Sequence, residues 1–446
     1  MEQQHMFTNR MIRNLLVPVV LEQILNSIMG TADTMMVSNV GSAALSAVSL
    51  VDSINILLIQ AFSALAAGGA IVCAQYIGQK NYEKANMSAR QVLFIITAIS
   101  VAVSAACLIF QKPLLRLIFG AVEADVMHAS ETYFFYTALS FPFIASYDAA
   151  ASIFRAQENT KGPMIISMIS NIMNIGGNAI LIWVFHLGVA GAAISTLVSR
   201  IFCAVVVLYQ LRKDRQPIVV RDYLKIRPDW SMIGRILGLG IPSGIENSMF
   251  QLGKLAIQST VSTLGTAAIA AQAMTNILEN LNGIAAIGVG VGLMTIVGQC
   301  LGAGRKDEAV YYIKKLCVIA EIVITVSCLI VYALARPVTI LGGMEKSSAA
   351  MCIHMITWIT IVKPLVWTMA FVPGYGLRAA GDVKFSMITS CCTMWACRFC
   401  LCVFLIRVLG FGPMGVWIGM FADWTVRGII FTWRFHSRRW LEHKVI

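Results

Sequence analysis

Glu22, Asn26 and Asp33 are polar residues inside an otherwise apolar stretch near the start of the chain. Each residue of an α-helix advances by about 100° and about 1.5 Å, so the eleven residues from Glu22 to Asp33 make about three full turns. The two acids would therefore lie on one face, about 16 Å apart along the axis. Asn26, one turn beyond Glu22, would lie on the same face. A charge in hydrocarbon is costly, and such residues tend to face a protein interior or a water-filled cavity. The pattern predicts either an ion-binding site or a set of hydrogen-bonded structural groups.

A second polar face consists of Asn171, Asn174 and Asn178, which follow helical spacing in another apolar stretch. Hydrogen bonds between neighbouring helices are one explanation, because an amide in hydrocarbon needs a partner. Amide oxygens together with a carboxylate also bind hard cations. Both interpretations remain open at this point.

The second half of the chain places Glu246, Lys254, Glu279 and Lys363 in apolar stretches. We expect Lys363 either to pair with Glu246 or Glu279 or to extend its aliphatic stem along its helix. All six histidines lie at tails, in connections or at the ends of apolar stretches, and the twelve cysteines show no spacing typical of a metal site. We therefore expect no bound metal, and a membrane-embedded enzyme is the alternative from a different functional class.

The elements that carry these residues are long and apolar. Of the 446 residues, 58% are hydrophobic and only 13% are charged, with a mean hydropathy of +0.76, against about 25% charged in soluble domains. A membrane span needs roughly 20 apolar residues. Twelve stretches qualify: 15–37, 51–77, 91–110, 132–154, 164–184, 191–211, 236–261, 272–301, 316–335, 350–375, 386–406 and 414–433. The sequence therefore predicts an all-α polytopic membrane protein with twelve transmembrane helices.

The net charge of +12 has a distribution that predicts orientation. The 34 Lys and Arg residues are concentrated in alternate connections between the stretches, above all in 212–235. Cytoplasmic loops carry such an excess, so both termini are expected in the cytoplasm, in a cell inner (plasma) membrane. The first apolar run is too long for a cleavable signal peptide. We expect small-molecule substrates and membrane lipid as partners, no nucleic acid, and a monomer.

The chain also repeats itself. VSNVGSAALSA at 37–47 matches VSTLGTAAIAA at 261–271, an offset of 224, and at the same offset Pro18 meets Pro242 and Glu22 meets Glu246. Two copies of six spans each insert with the same orientation, which is the parallel-repeat arrangement of secondary transporters. We therefore predict an N-terminal lobe at 1–211, a cytoplasmic linker at 212–235 and a C-terminal lobe at 236–446, around a central cleft.

The repeated motifs carry a resemblance to a known family. They are the proline-containing first helix, QYIGQKNYEKA after the second and RAQENTK after the fourth, repeated as GIPSGIENSMF, QCLGAGRKDEA and LRAAGDVK. At these residues the chain resembles the multidrug and toxic compound extrusion (MATE) family of cation-coupled antiporters. The resemblance implies export of drugs or cationic or amphipathic metabolites, driven by Na⁺ or H⁺, with no cofactor. The wider superfamily also includes flippases of lipid-linked precursors and polysaccharides, which is the alternative function.

The resemblance also implies a cation-coupling site in the first lobe. The family's positions correspond here to Asp33, Asn174, Asn178 and Thr196. Asn178 stands where the family has an aspartate, so one negative charge is missing and the choice between sodium and proton stays open. Bending at Pro18 is the conformational change that the resemblance implies.

The second lobe departs further from the family. The acids that other branches carry there align with Phe250 and Trp367, which are apolar. Additional polar or coupling candidates are therefore drawn from both lobes: Glu22, Asn26, Asn171, Glu246, Glu279 and Lys363.

Overall fold

The computed structural model describes residues 5–446, and within that range it contains helices and connections but no strand. The α-helices are α1 (Asn9–Ser38), α2 (Ser42–Gly78), α3 (Tyr82–Ile109), α4 (Gln111–Phe119), α5 (Ala124–Leu139), α6 (Phe141–Ala156), α7 (Lys161–Asn178), α8 (Val189–Leu211), α9 (Trp230–Val261), α10 (Thr266–Gly302), α11 (Lys306–Leu341), α12 (Lys346–Ala379), α13 (Val383–Thr393), α14 (Leu401–Arg407) and α15 (Met414–His436). A π-helical segment, Ala179–Val184, continues α7, and another, Met394–Cys400, joins α13 to α14. The predicted all-α class is confirmed.

Each of the twelve predicted stretches is helical. Within residues 5–446, nine helical runs are long and apolar enough to cross a membrane: Asn9–Ser38, Ser42–Gly78, Tyr82–Ile109, Lys161–Val184, Val189–Leu211, Thr266–Gly302, Lys306–Leu341, Lys346–Ala379 and Val383–Arg407. The other three stretches lie in α5 and α6, in α9 and in α15. The first is interrupted at Ser140, between α5 and α6. The other two carry several charged residues inside the helix, such as Lys254 in α9 and Arg427 in α15.

The backbone repeats with the sequence. Residues with positive φ occur in six pairs separated by 223 or 224 positions: Gly41 with Gly265, Lys80 with Gly304, Gly120 with Gly343, Glu158 with Gly381, His186 with Gly410, and Gly188 with Gly412. Positive φ is uncommon outside glycine. Its recurrence in one register means that both copies turn their chain at the same places.

The chain divides into two compact units. The C-terminal unit comprises the chain up to Ile24 together with Ile245–Val445, and the N-terminal unit comprises Leu25–Gly244. The boundaries therefore fall inside α1 and α9, each of which contributes one part to each unit. Both helices contain an internal proline, Pro18 in α1 and Pro242 in α9.

The predicted linker 212–235, whose last six residues form the start of α9, belongs to the N-terminal unit and is held by polar contacts with α3 and α2. Asn86 on α3 donates from its amide to the carbonyl oxygen of Pro217 at 3.1 Å, and Gln91 donates to that of Arg227 at 2.8 Å. Arg235 donates to the hydroxyl of Tyr76 on α2 at 2.6 Å. The connection is therefore packed against this unit rather than a freely solvated loop.

Close helix packing in this unit depends on glycine. A Cβ atom on Gly68 of α2 would lie 2.7 Å from the backbone nitrogen of Gly240 in α9. Small residues allow two helices in a membrane to approach closely. The part of α9 before its unit boundary is thereby packed directly against α2.

Candidate functional site

Four residues from α1, α7 and α8 meet in the N-terminal unit. The Asn178 side-chain nitrogen donates a hydrogen bond to the Asp33 carboxylate, and it lies 3.5 Å from the side-chain oxygen of Asn174. Asn174 in turn donates from its amide to the hydroxyl of Thr196 at 3.2 Å. The structure thus brings together the set that the sequence predicts, Asp33, Asn174, Asn178 and Thr196, in one continuous polar network.

The local backbone explains how α7 presents these amides. Asn178 is the last residue of α7, and the π-helical turn begins at the next residue, Ala179. Single π-turns inserted in α-helices occur frequently at functional sites. Gly177 leaves room for α8, because a Cβ there would lie 2.3 Å from the Ser195 hydroxyl, which donates to the backbone carbonyl of Asn174 at 2.8 Å.

Asn178 leaves one strong acceptor without a partner. Its side chain is fully buried, and its Oδ1 has no hydrogen bond within the part of the chain that the structure describes. The amide nitrogen is already directed at Asp33, so the oxygen points elsewhere. Buried polar atoms are nearly always satisfied in folded proteins, and an unsatisfied one needs an explanation. A bound cation is one, since amide oxygens are hard-cation ligands.

Asn26 and Asn171 form a separate contact. The Asn26 side-chain oxygen accepts from the Asn171 amide at 2.8 Å and from the Ser167 hydroxyl at 2.8 Å. These two residues therefore join α1 to α7 without entering the Asp33 network. Glu22 is buried at 2% exposure and belongs to the C-terminal unit, so the predicted stripe on α1 is shared between the two units.

The N-terminal unit holds two further carboxylates that the sequence analysis missed. Asp52 on α2 accepts from the Tyr133 hydroxyl at 3.1 Å, and Asp148 on α6 accepts from the Ser63 hydroxyl at 2.5 Å. Both lie in apolar helices, which is the signal that identified Asp33, so the same criterion could have found them.

Arg200 on α8 is a cation that interacts with these acids. Its guanidinium donates to the Ser140 hydroxyl at 2.6 Å, at the break between α5 and α6. It interacts electrostatically with Asp33, Asp52 and Asp148. Arg200 thus lies within electrostatic range of all three carboxylates.

In the C-terminal unit Lys363 is fully buried and paired with α10. Its Nζ lies 2.6 Å from the Glu279 carboxylate and 3.2 Å from the backbone carbonyl of the same residue, and it also donates to the side-chain oxygen of Asn282. Of the two partners predicted for Lys363, the structure selects Glu279. Its stem does not extend to the surface.

Glu246 and Asp423 form the other ion pairs inside this unit. The Glu246 carboxylate lies 2.6 Å from the Arg378 guanidinium. Asp423, fully buried on α15, lies 2.8 Å from Arg398 and 2.8 Å from Arg427. Asp423 is not among the residues predicted from the sequence, although an acid four residues before an arginine in an apolar helix predicts such a pair. Within residues 5–446 no group of three or more His, Cys, Asp or Glu could hold a metal ion.

A family model described as MatE matches residues 18–180 and, a second time, residues 242–404. The chain belongs to the MatE family. The two matches begin at Pro18 and Pro242, which repeats the offset of 224 found in the sequence, and together they cover more than half of the chain. The predicted resemblance to multidrug and toxic compound extrusion transporters is therefore confirmed, and transport, not catalysis, is what this family does.

Relatives of this MatE protein align along nearly its whole length. It is 26% identical over 432 residues to the uncharacterized transporter YisQ of Bacillus subtilis strain 168, covering 95% of this chain and 93% of YisQ. It is 25% identical over 439 residues to the probable multidrug resistance protein YoeA of the same organism, covering 96% of this chain and 94% of YoeA.

The fold of this MatE protein is shared with solved transporters. An outward-facing multidrug resistance MATE family transporter of the MOP superfamily superposes with a TM-score of 0.90 at 19% identity, over 96% of this chain and 95% of that one. The predicted fold class, a polytopic all-α membrane protein built from two repeats, is confirmed.

Proposed function

We propose that this MatE protein is a cation-coupled antiporter that exports drugs or cationic or amphipathic metabolites by alternating access. It lies in the cell inner membrane with both termini in the cytoplasm, acts as a monomer, and uses the inward gradient of Na⁺ or H⁺ without a resident cofactor. The family and the multidrug resistance relatives support drug export. The interior of the N-terminal unit supports the coupling.

The observation that carries the coupling proposal is the buried Asn178 amide. Its nitrogen donates to the Asp33 carboxylate while its oxygen has no partner in the described chain. A cation placed there would meet carboxylate, amide and hydroxyl oxygens from three helices, because Asn174 and Thr196 belong to the same network. Oxygen ligands of this kind suit a hard cation.

Coupling requires that the cation and the substrate favour different states of the transporter. A ligand shifts a conformational equilibrium only by its differential affinity for the two states. Occupation of Asp33 by Na⁺ or H⁺ neutralises its charge, which lowers the cost of burying it. A state that buries Asp33 is thereby favoured when the cation is bound, and substrate binding favours the other state.

The test is uptake of a fluorescent organic cation into everted membrane vesicles, under a sodium gradient alone and under a proton gradient alone. Uptake that depends on one of the gradients is expected, and an ionophore that dissipates that gradient should abolish it. Uptake that persists equally without any gradient would contradict cation coupling.

A second function, flipping of a lipid-linked precursor or polysaccharide, is favoured by the cations of the C-terminal unit. Arg398 and Arg427 are both 2% exposed and share the single carboxylate of Asp423. A pyrophosphate head group would be attracted to such an excess of positive charge. Translocation of a pyrophosphate-linked lipid in proteoliposomes, with no transport of organic cations in vesicles, would favour this function.

A further inference from the structure

Four cationic side chains from four elements lie close together in the C-terminal unit. They are Lys254 on α9, Lys363 on α12, Arg398 on the π-helical segment and Arg427 on α15. Glu279 is paired with Lys363, and Asp423 is paired with both arginines. Glu279 interacts electrostatically with Lys254, Lys363 and Arg398, which places all four groups in one neighbourhood.

The ring of Phe250 is the centre of this cationic cluster. The Arg398 guanidinium lies 4.7 Å from the ring centroid, the Lys254 ammonium 5.2 Å and the Arg427 guanidinium 5.8 Å. Arg427 also lies 4.9 Å from the ring of Phe371. Cations are attracted to the faces of aromatic rings, but a neutral ring does not compensate three positive charges that repel one another.

The carboxylates present are already used. Asp423 is shared between Arg398 and Arg427, and Glu279 is paired with Lys363. Lys254 has no ion pair in the range that the structure describes, and it is exposed while the two arginines are buried. Buried charges in proteins are normally paired, and here a single carboxylate serves both buried arginines. The cluster is therefore short of negative charge.

Hydrogen bonding in the cluster is incomplete. Arg398 Nε, Asn282 Nδ2 and Trp424 Nε1 have no acceptor within residues 5–446, against one carboxylate oxygen without a hydrogen bond, Asp423 Oδ2, which lies 2.8 Å from Arg398 in an ion pair. Each of the three donors belongs to a side chain exposed by 2% or less. Arg398 and Asn282 are members of the ion-pair network, and Trp424 contacts Lys363, whose Nζ lies 5.7 Å from its ring. Orphaned donors in a dry interior are unfavourable, and all three would be relieved by an acceptor.

We propose that this cluster is a binding site for an anionic group, a phosphate or carboxylate, on a water-soluble aromatic compound that the protein transports. Lys254 and Arg398 hold the anion, and Phe250 and Phe371 pack against the aromatic part. The proposal rests on the proposed export function and specifies one class of its substrates. In the described chain Lys363, Arg398 and Arg427 share two carboxylates, and Lys254 has no ion pair.

The test uses purified full-length protein in phosphatidylcholine nanodiscs and three small probes of the same ring: phenyl phosphate, phenol and phenyltrimethylammonium. Protection against thermal unfolding reports binding, because a ligand that binds only the folded state raises the melting temperature. Phenyl phosphate should raise it in a saturable manner and phenol should not, while any protection by phenyltrimethylammonium, a cation of the class proposed for export, should not depend on Lys254.

The role of Lys254 in phenyl phosphate binding is tested with Lys254→Gln. Because Lys254 is exposed and has no ion pair in the described chain, this substitution leaves the buried ion pairs intact. Loss of one charge-assisted hydrogen bond should weaken phenyl phosphate binding about tenfold. Lys346→Gln is the matched control, since it removes the same charge from an exposed position at the start of α12 in the same unit. It should leave the binding unchanged.

Equal protection by phenol would overturn the proposal, as would equal phenyl phosphate binding by the wild type and Lys254→Gln. Nanodiscs that contain phosphatidylglycerol separate the two sources of phosphate. If that lipid alone protects the wild type but not Lys254→Gln, and phenyl phosphate adds nothing, the ligand is a lipid head group and the substrate proposal is wrong. No ion gradient enters this assay, so its outcome is independent of whether coupled export is observed in vesicles.

Discussion

Asp33 on α1 and Asn178 at the end of α7 are 145 residues apart in the chain and share a hydrogen bond from amide to carboxylate. The bond joins the two helices at the residue where α7 becomes π-helical. Because Asn178 is neutral, the four-residue network has a single carboxylate and keeps one buried amide oxygen without a partner. A single substitution at Asn178 should therefore change the affinity of this network for a cation.

Asn178→Asp should strengthen sodium binding. The new carboxylate keeps the size of the side chain and places a second negative charge beside Asp33. An added charge-assisted contact contributes roughly 1.4 kcal/mol, so the sodium concentration for half-maximal efflux should fall about tenfold. The measurement is the rate of efflux at increasing sodium concentration in vesicles with equal expression. Asn171→Asp is the control, since Asn171 contacts Asn26 outside the network. An unchanged sodium response in Asn178→Asp would argue that α7 contributes no cation ligand.

The fold was largely predictable because it depends on patterns that repeat. Apolar stretches give helices whatever their partners are, and the match between the two copies gives the number of helices and their order. The break at Ser140 and the π-helical turn after Asn178 were not predicted. They depend on how neighbouring helices pack, which apolar length alone does not specify.

The site was predictable only in part. Asp33, Asn174, Asn178 and Thr196 were found through the family resemblance, and the structure brings them together. The partners of Lys363 and Glu246 could not be chosen from sequence, because each choice depends on which helix faces which. Asp423 was not predicted, although its spacing of four residues from Arg427 in the same apolar helix is visible in the sequence.

The orientation of the chain can be tested with single cysteines. Ser42→Cys, at the start of α2, and Thr266→Cys, at the start of α10, occupy equivalent turns of the two copies. If both termini are cytoplasmic, a membrane-impermeant maleimide should label both variants from outside intact cells, in a background without native cysteines. A cysteine in place of Arg305 should be labelled only after the cells are opened. Labelling of the Arg305 variant in intact cells, with neither of the other two labelled, would reverse the predicted orientation.

The repeated turns offer a test of backbone strain. Gly304 and Lys80 both have positive φ at the same place in the two copies, and a Cβ on Gly304 would meet no atom within 4 Å. Gly304→Ala should therefore destabilise the protein by about 1 kcal/mol through backbone strain alone. Lys80→Ala replaces one non-glycine residue by another at the same φ and should be nearly neutral. The melting temperatures of both variants are measured in detergent and compared with that of the wild type. Equal decreases in the two variants would contradict the explanation by backbone strain.

The last prediction is that Asp33 carries energy coupling and Glu246 does not. Asp33 lies beside an unpartnered amide oxygen, so its charge is available to a cation. The Glu246 carboxylate is already paired with Arg378 at 2.6 Å. Asp33→Asn keeps the shape and removes the charge, so export should lose its dependence on the gradient while the protein still folds and binds substrate.

Glu246→Gln breaks an ion pair but leaves the Asp33 network intact, so it should keep substantial gradient-driven transport. Both variants are measured in everted vesicles at matched expression, with substrate binding measured separately on the purified proteins. Loss of binding in Asp33→Asn would mean that its effect on transport is not one of coupling. If Asp33→Asn transports normally and Glu246→Gln is inactive, the coupling carboxylate lies in the C-terminal unit. Gradient-driven transport would then require Glu246 and not Asp33.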